Sequence, residues 1–370
     1  MKDSTLLVRE KIDYSEARPI ATPIFQASAF RSGDPNFYTR NTNPNFEDLE
    51  NLLAKLDNTN YCVTLSSGMA AISSVVHLLK PGDELISGSL IYGCTYRFLS
   101  DFCQQMNIKL KFVDLSDLEK AKSTITEKTT MVFFETPTNP FLRIIDIKAI
   151  STILKSRNSN AWVVVDNTWA TPINQKPLNF GADISLYSGS KFFSGHSDVI
   201  IGAVTVKNKL LYDKIKKYRF YHGAVPDAFS AWLTRRSMQT LEIRLKRHEE
   251  SIRDIINYLE KQPLVSKIYF PEIDGVQLKA YGCLLFFRLK TQDYSHVEKF
   301  MNTLKLFDQG TSMASVASAV ANPFNGSHLS MSEAERNDIG LDEFVIRLSI
   351  GLEEVDDLVA DLDFAFSTIN

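Results

Sequence analysis

The sequence predicts an α/β protein: a mostly parallel sheet covered by helices on both faces, followed by a smaller C-terminal α+β domain. Three observations carry this. Apolar runs of strand length such as "YCVTL", "TTMVFFET" and "AWVVVDNT" are nearly continuous rather than alternating, which marks strands buried on both sides. Segments with helical spacing, including "SSGMAAISSVVHLL" and "YRFLSDFCQQM", lie between such runs. From about residue 245 the texture changes to a long charged helix, "RLKRHEESIRDIINYLEKQ", then short strands such as "CLLFFRL" and a terminal helix.

In chain order, residues 1–50 read as an irregular arm, residues 51–244 as the large domain and residues 245–370 as the small one. "YCVTL" is the first buried strand, and its small-residue continuation opens a helix. "DELIS" and "IKLKFV" are short strands on either side of a helix. "TTMVFFET", "AWVVVDNT", "DISLYS" and "VIIGAVTV" complete the sheet, rich in β-branched and aromatic residues and closed by polar or small ones.

A chain of 370 residues, 44% hydrophobic and 23% charged, can bury one large core and a second smaller one. The net charge of -3, with no clustered Lys/Arg, gives no footprint for nucleic acid, and "KIKKYRF" reads as a solvated helix face. The N-terminal "MKDSTLLVREKIDYSEARP" lacks the apolar stretch of a secretory signal, and no run approaches the roughly 20 apolar residues of a membrane span. A cytoplasmic protein without membrane partners is expected. Cys62, Cys94, Cys103 and Cys283 form no CxxC pair, which argues against a metal site and against a disulfide framework.

In an open parallel sheet, ligands bind beyond the carboxyl ends of the strands. Here "YCVTL" runs into Ser66, Ser67, Gly68 and Met69 at an expected helix N-terminus, where free N–H groups and the helix dipole favour a phosphate; Ser and Gly are also ordinary capping residues. "AWVVVD" ends in Asp166. "DISLY" leads to a lone lysine, Lys191, flanked by Ser188 and Ser190, where a bare ammonium would be costly. Together these are the parts that pyridoxal 5'-phosphate needs: an amine for a Schiff base with its aldehyde, a carboxylate for its pyridinium nitrogen, and hydroxyls and N–H groups for its phosphate.

From about Pro19 onward the chain resembles the pyridoxal-phosphate-dependent enzymes of Cys/Met metabolism, among them cystathionine γ-synthase, cystathionine γ-lyase and methionine γ-lyase. The ordered segments that carry the resemblance are "YTRNTNPNFEDLE", "SSGMAAI", "IYGCTY", "ETPTNP", "VVDNTWATP", "SGSKFFSGHSDV" and "RLSIGLEEVDDL". The resemblance implies a fold-type I transferase in which Lys191 carries the cofactor and Asp166 pairs with its ring nitrogen. It implies that Gly68, Met69, Ser188 and Ser190 hold the phosphate, and that Tyr92 stacks on the ring and shuttles protons. Tyr38 and Arg40 would reach the phosphate of the neighbouring subunit, in a homodimer with shared sites commonly paired into a homotetramer. Asn139, Ser312 and Arg347 would face the amino-acid substrate, Arg347 as the carboxylate clamp.

One departure bears on specificity: in "TSMASVAS", Ala314 stands for the family's usual glycine and Ala317 for its glutamate. A second, Asn45 for the threonine of the family's NPT segment, is expected to act locally. The implied chemistry is γ-elimination or γ-replacement on a sulfur-containing or O-acyl-homoserine-type amino acid. β-Elimination by a C–S lyase of the same family and an inert protein retaining the fold stay open. A nicotinamide oxidoreductase is disfavoured, since no strand ends in GxGxxG.

Overall fold

A computed structural model describes residues 1–10, 19–280, 282–310 and 312–369. Its first sheet has seven strands: β1 (Tyr61–Leu65), β2 (Glu84–Gly88), β3 (Lys109–Val113), β4 (Thr129–Glu135), β5 (Trp162–Asp166), β6 (Ile184–Ser188) and β7 (Gly202–Val206). They lie in the order β1-β7-β6-β5-β4-β2-β3. The run from β6 to β3 is parallel, and β7 is antiparallel to both β1 and β6. The mostly parallel sheet expected from the sequence is therefore present, and Val163, Val164 and Val165 show why its runs are apolar throughout: each is fully buried.

The helix Gly68–Val76 starts where Ser67 supplies a cap, its hydroxyl accepting from the Ala70 N–H at 3.0 Å. The expected strand "VIIGAVTV" is shorter than its apolar run. The Ser190 hydroxyl accepts from the Ile201 N–H at 3.1 Å and donates to the Ile201 carbonyl at 3.3 Å, so this residue bonds a side chain rather than a ladder and β7 begins at Gly202. Gly202 sits so close to the helix start that a Cβ there would meet the Ser67 carbonyl oxygen at 2.1 Å.

The long charged helix spans Leu241–Leu259, and beyond it lies a second sheet of five strands. These are β8 (Val265–Tyr269), β9 (Leu284–Leu289), β10 (Asp308–Gln309), β11 (Ala319–Ala321) and β12 (Val345–Ser349), in the order β10-β11-β12-β9-β8. The helix Val355–Ser367 packs on it through buried Leu358, Leu362 and Phe366.

Within the first 50 residues the chain forms the helix Asp3–Arg9 and begins the helix Pro44–Leu56. A buried ion pair ties this part to the sheet. Arg219 Nη1 donates to Glu50 Oε1 at 2.6 Å and to the Thr64 carbonyl at 3.1 Å, and Nη2 donates to the Asn41 carbonyl at 2.8 Å. Deleting one partner of such a pair would leave an uncompensated buried charge, at a cost of about 3–5 kcal/mol. Among the described residues no helix is long and apolar enough to cross a membrane, and no cluster of metal-ligating groups occurs.

Candidate active site

The carboxyl ends of β4, β5 and β6 open into one cavity of about 300 Å³. Gly68, Met69, Tyr92, Asn139, Asp166, Ser188, Ser190, Lys191 and Arg347 line it.

The helix Gly68–Val76 points its N-terminus at this space. With the Ala70 N–H given to Ser67 Oγ and the Ala71 N–H to the Ser67 carbonyl, the N–H groups of Gly68 and Met69 remain for a ligand. Gly68 is required by close approach: a Cβ there would lie 2.8 Å from the Ser188 Cβ. The arrangement keeps a backbone cradle open beside a hydroxyl.

Asp166 is held by the turn that follows β5, its Oδ1 accepting from the Thr168 N–H at 3.0 Å. Burial pushes its carboxyl up to about 6, so a nearby cation would strengthen its ionisation. Thr168 Oγ1 in turn accepts from the Ser188 N–H at 2.8 Å, locking the ends of β5 and β6 together. Lys191 sits in the turn after β6. Burial first, and the Arg347 charge second, lower its ammonium to about 8. It is the neutral, nucleophilic amine that the cavity favours.

Tyr92 precedes the helix Gly93–Gln105, and its N–H donates to Glu135 Oε2 at 3.1 Å. Burial, then hydrogen bonding to Cys94, pushes its phenol up to about 12, so it stays protonated at neutral pH. Asn139 lies in "ETPTNP", where His328 Nε2 meets its carbonyl oxygen at 3.3 Å. The Asn139 side-chain oxygen is buried with no hydrogen-bond partner among the described residues. A buried amide oxygen without a partner, facing a cavity, is a group awaiting a ligand.

Arg347 comes from the other sheet, in β12, where it stands opposite Ala321 and Phe286 in register. Only 3% of it is exposed, and burial lowers its guanidinium to about 10, leaving it cationic at neutral pH. The cavity thus combines a lysine amine, an arginine, a helix N-terminus and strand-end carboxyls. This set fits pyridoxal phosphate: the Gly68 cradle stays open only because a Cβ is missing, and the orphaned Asn139 oxygen has a polar ligand to meet.

Three residues singled out in the sequence lie off this cavity. The Ser312 carbonyl accepts from Arg347 Nη2, and it is Met313 that lines the space. Tyr38 and Arg40 are elsewhere in the chain: Arg40 Nη1 donates to the Phe220 carbonyl at 2.9 Å, and its guanidinium covers the Phe220 ring at 4.2 Å. Ala314 has φ +65, the left-handed conformation that favours glycine, at the position where the resemblance expects one. Ala317 is exposed.

Glu135 and Thr168 also line the cavity and were not picked out from the sequence. Each had a local signal, because Glu135 ends an apolar run and Thr168 follows Asp166 by two positions.

The chain is similar to known proteins along almost its whole length. Cystathionine gamma-lyase of Dictyostelium discoideum is 36% identical over 360 residues, covering 94% of this chain and 92% of that protein. L-methionine gamma-lyase of Fusobacterium nucleatum is 36% identical over 368 residues, covering 93% and 92%. The solved structure of cystathionine gamma synthase from Xanthomonas oryzae pv. oryzae, in complex with aminoacrylate and cysteine, superposes with a TM-score of 0.96 at 32% identity, covering 100% of this chain and 98% of that one. With residues 4–367 also matching the family as a whole, the chain belongs to the Cys/Met metabolism PLP-dependent enzymes, fold-type I proteins whose cofactor is pyridoxal 5'-phosphate.

Proposed function

We propose that this enzyme eliminates or replaces the γ-substituent of a sulfur-containing or O-acyl-homoserine-type amino acid. The observation that carries the reading is the meeting of Lys191, Asp166 and Arg347 in one cavity at the strand ends. When bound, the cofactor supplies an electron sink for negative charge developing on the substrate's α carbon.

The chain's own residues then divide the work. The N–H groups of Gly68 and Met69 would hold the phosphate together with the Ser188 and Ser190 hydroxyls, Ser190 giving up its bond to the Ile201 carbonyl to do so, and Asp166 would hold the ring nitrogen. Arg347 binds the substrate α-carboxylate, for which its planar fork is suited, beside the Asn139 amide. The Lys191 amine takes the α proton and moves protons to and from the β carbon, which its lowered basicity permits near neutral pH. Tyr92, protonated on the cavity wall, would cover the ring and donate to the departing group.

Arg347 recognises a carboxylate common to every amino acid, so the choice among substrates falls to the loop around Ser312 and Ala317. Val316 N–H donates to the Gly195 carbonyl at 2.9 Å, which fastens this loop to the turn that carries Lys191. Without the family's glutamate, Ala317 presents a small neutral wall, which favours uncharged γ-substituents over cystathionine.

The arm of residues 1–50 is proposed to complete the site of a neighbouring subunit through Tyr38 and Arg40, in a dimer that pairs into a tetramer. The cytoplasm is the proposed compartment, in keeping with four free cysteines.

The test is a panel of methionine, homocysteine, cysteine, cystathionine, O-acetylhomoserine and O-succinylhomoserine, each with and without an added thiol. Release of 2-oxobutyrate, or formation of a new thioether, supports the reading. Pyruvate as the sole keto acid would assign β-elimination, and turnover of cystathionine alone, unchanged in Ala317→Glu, would remove the loop from specificity.

A further inference from the structure

Glu135 ends β4 as Asp166 ends β5, and the two stand opposite each other in register on adjacent parallel strands. Both side chains line the cavity, and Glu135 is only 7% exposed. Two carboxyls so placed, away from water, resist carrying two charges at once.

Their partners decide which one ionises. Asp166 accepts from both the N–H and the hydroxyl of Thr168, whereas the Glu135 carboxyl meets the Tyr92 N–H. Burial, with the Asp166 charge beside it, pushes Glu135 well above the usual carboxylate range. The other titratable or charged groups around this space are Tyr92, Lys191 and Arg347. Tyr92 is neutral, and Lys191 and Arg347 are engaged by cofactor and substrate in the function proposed above.

We propose that Glu135 is a positioning residue: it remains a neutral acid, anchors Tyr92 through its backbone N–H, and leaves Asp166 as the single carboxylate of the strand-end pair. The inference rests on the reading of Asp166 and Tyr92 as contacts of the cofactor. A charged Glu135 would compete with Asp166 for the proton of the ring nitrogen, and a missing one would release the start of the helix Gly93–Gln105, from which Tyr92 is presented.

The test compares wild-type, Glu135→Gln and Glu135→Leu holoenzymes. An acid neutral in the native state and ionised in the unfolded chain loses relative stability as pH rises above the ordinary carboxylate range. Glu135→Gln, which keeps a neutral acceptor for the Tyr92 N–H, should therefore gain thermal stability over wild type progressively as pH rises above the ordinary carboxylate range. Its kcat and KM should stay within about threefold of wild type. Glu135→Leu should lose about tenfold or more in kcat/KM and weaken the visible circular dichroism of the cofactor, with cofactor absorbance retained. A stability difference that shrinks or reverses with rising pH, or a Gln variant as impaired as the Leu variant, would overturn the proposal. Failure of wild type to bind pyridoxal phosphate would instead strike the reading of the cavity itself.

Discussion

Arg347 Nη2 donates to the carbonyl oxygen of Ser312 at 2.9 Å, so the proposed clamp for the substrate carboxylate also anchors the loop proposed to read the distal end. Lysine has neither the fork nor the reach to do both. Arg347→Lys should raise KM by roughly 10- to 100-fold, the loss of one or two charged hydrogen bonds, and should broaden the preference among γ-substituents. Steady-state kinetics on two substrates of different length would check this; equal KM for wild type and variant would count against the clamp.

The pH dependence of cofactor capture follows from Lys191. Attack on the cofactor's aldehyde needs the neutral amine, and the ammonium is lowered to about 8 by burial and by Arg347. Reconstitution of apoenzyme should accelerate as pH rises and level off above about 8, as followed by visible absorbance. Borohydride should fix the cofactor on the Lys191 peptide, and Lys191→Ala should be colourless and without turnover. A rate independent of pH would mean that another step limits capture.

Gly68 and Ser188 make a steric pair. A Cβ at Gly68 would lie 2.8 Å from the Ser188 Cβ and 2.9 Å from its Oγ, so Gly68→Ala forces the end of β6 away from the phosphate cradle. The cost of such overpacking is about 1–3 kcal/mol. Adding Ser188→Gly should recover most of the stability while leaving cofactor affinity reduced, because the hydroxyl is gone. Thermal melts and cofactor titration of the single and double variants separate the two effects. Unchanged stability in Gly68→Ala would show that the strand end yields freely.

Arg40 tests the proposed assembly. Within its own chain it lies over Phe220, away from the cavity that contains Lys191. Refolding Arg40→Ala together with Lys191→Ala should restore about a quarter of the native sites if random dimers form and each site draws residues from both chains. No recovery after verified co-assembly would mean that each site is built within one subunit.

Features that depend on local chemistry were readable from the chain alone. Continuous apolar runs marked the parallel strands because both of their faces are buried, and polar residues at the ends of those runs marked the cavity because side chains there leave the sheet. Lys191, Asp166 and the Gly68 turn were legible for that reason, and Arg347 through its motif.

Relationships across elements arise only on packing. Strand register sets Glu135 beside Asp166, although 30 positions separate them in the chain. The bond from Arg347 to the Ser312 carbonyl leaves Met313, rather than Ser312, lining the cavity. The bonds of Ser190 to Ile201 shorten β7 in spite of its apolar run. Periodicity reports which face of an element is buried, but neither the partner it meets nor the backbone groups that partner consumes; those are fixed only when distant segments pack, and with them the protonation of buried groups.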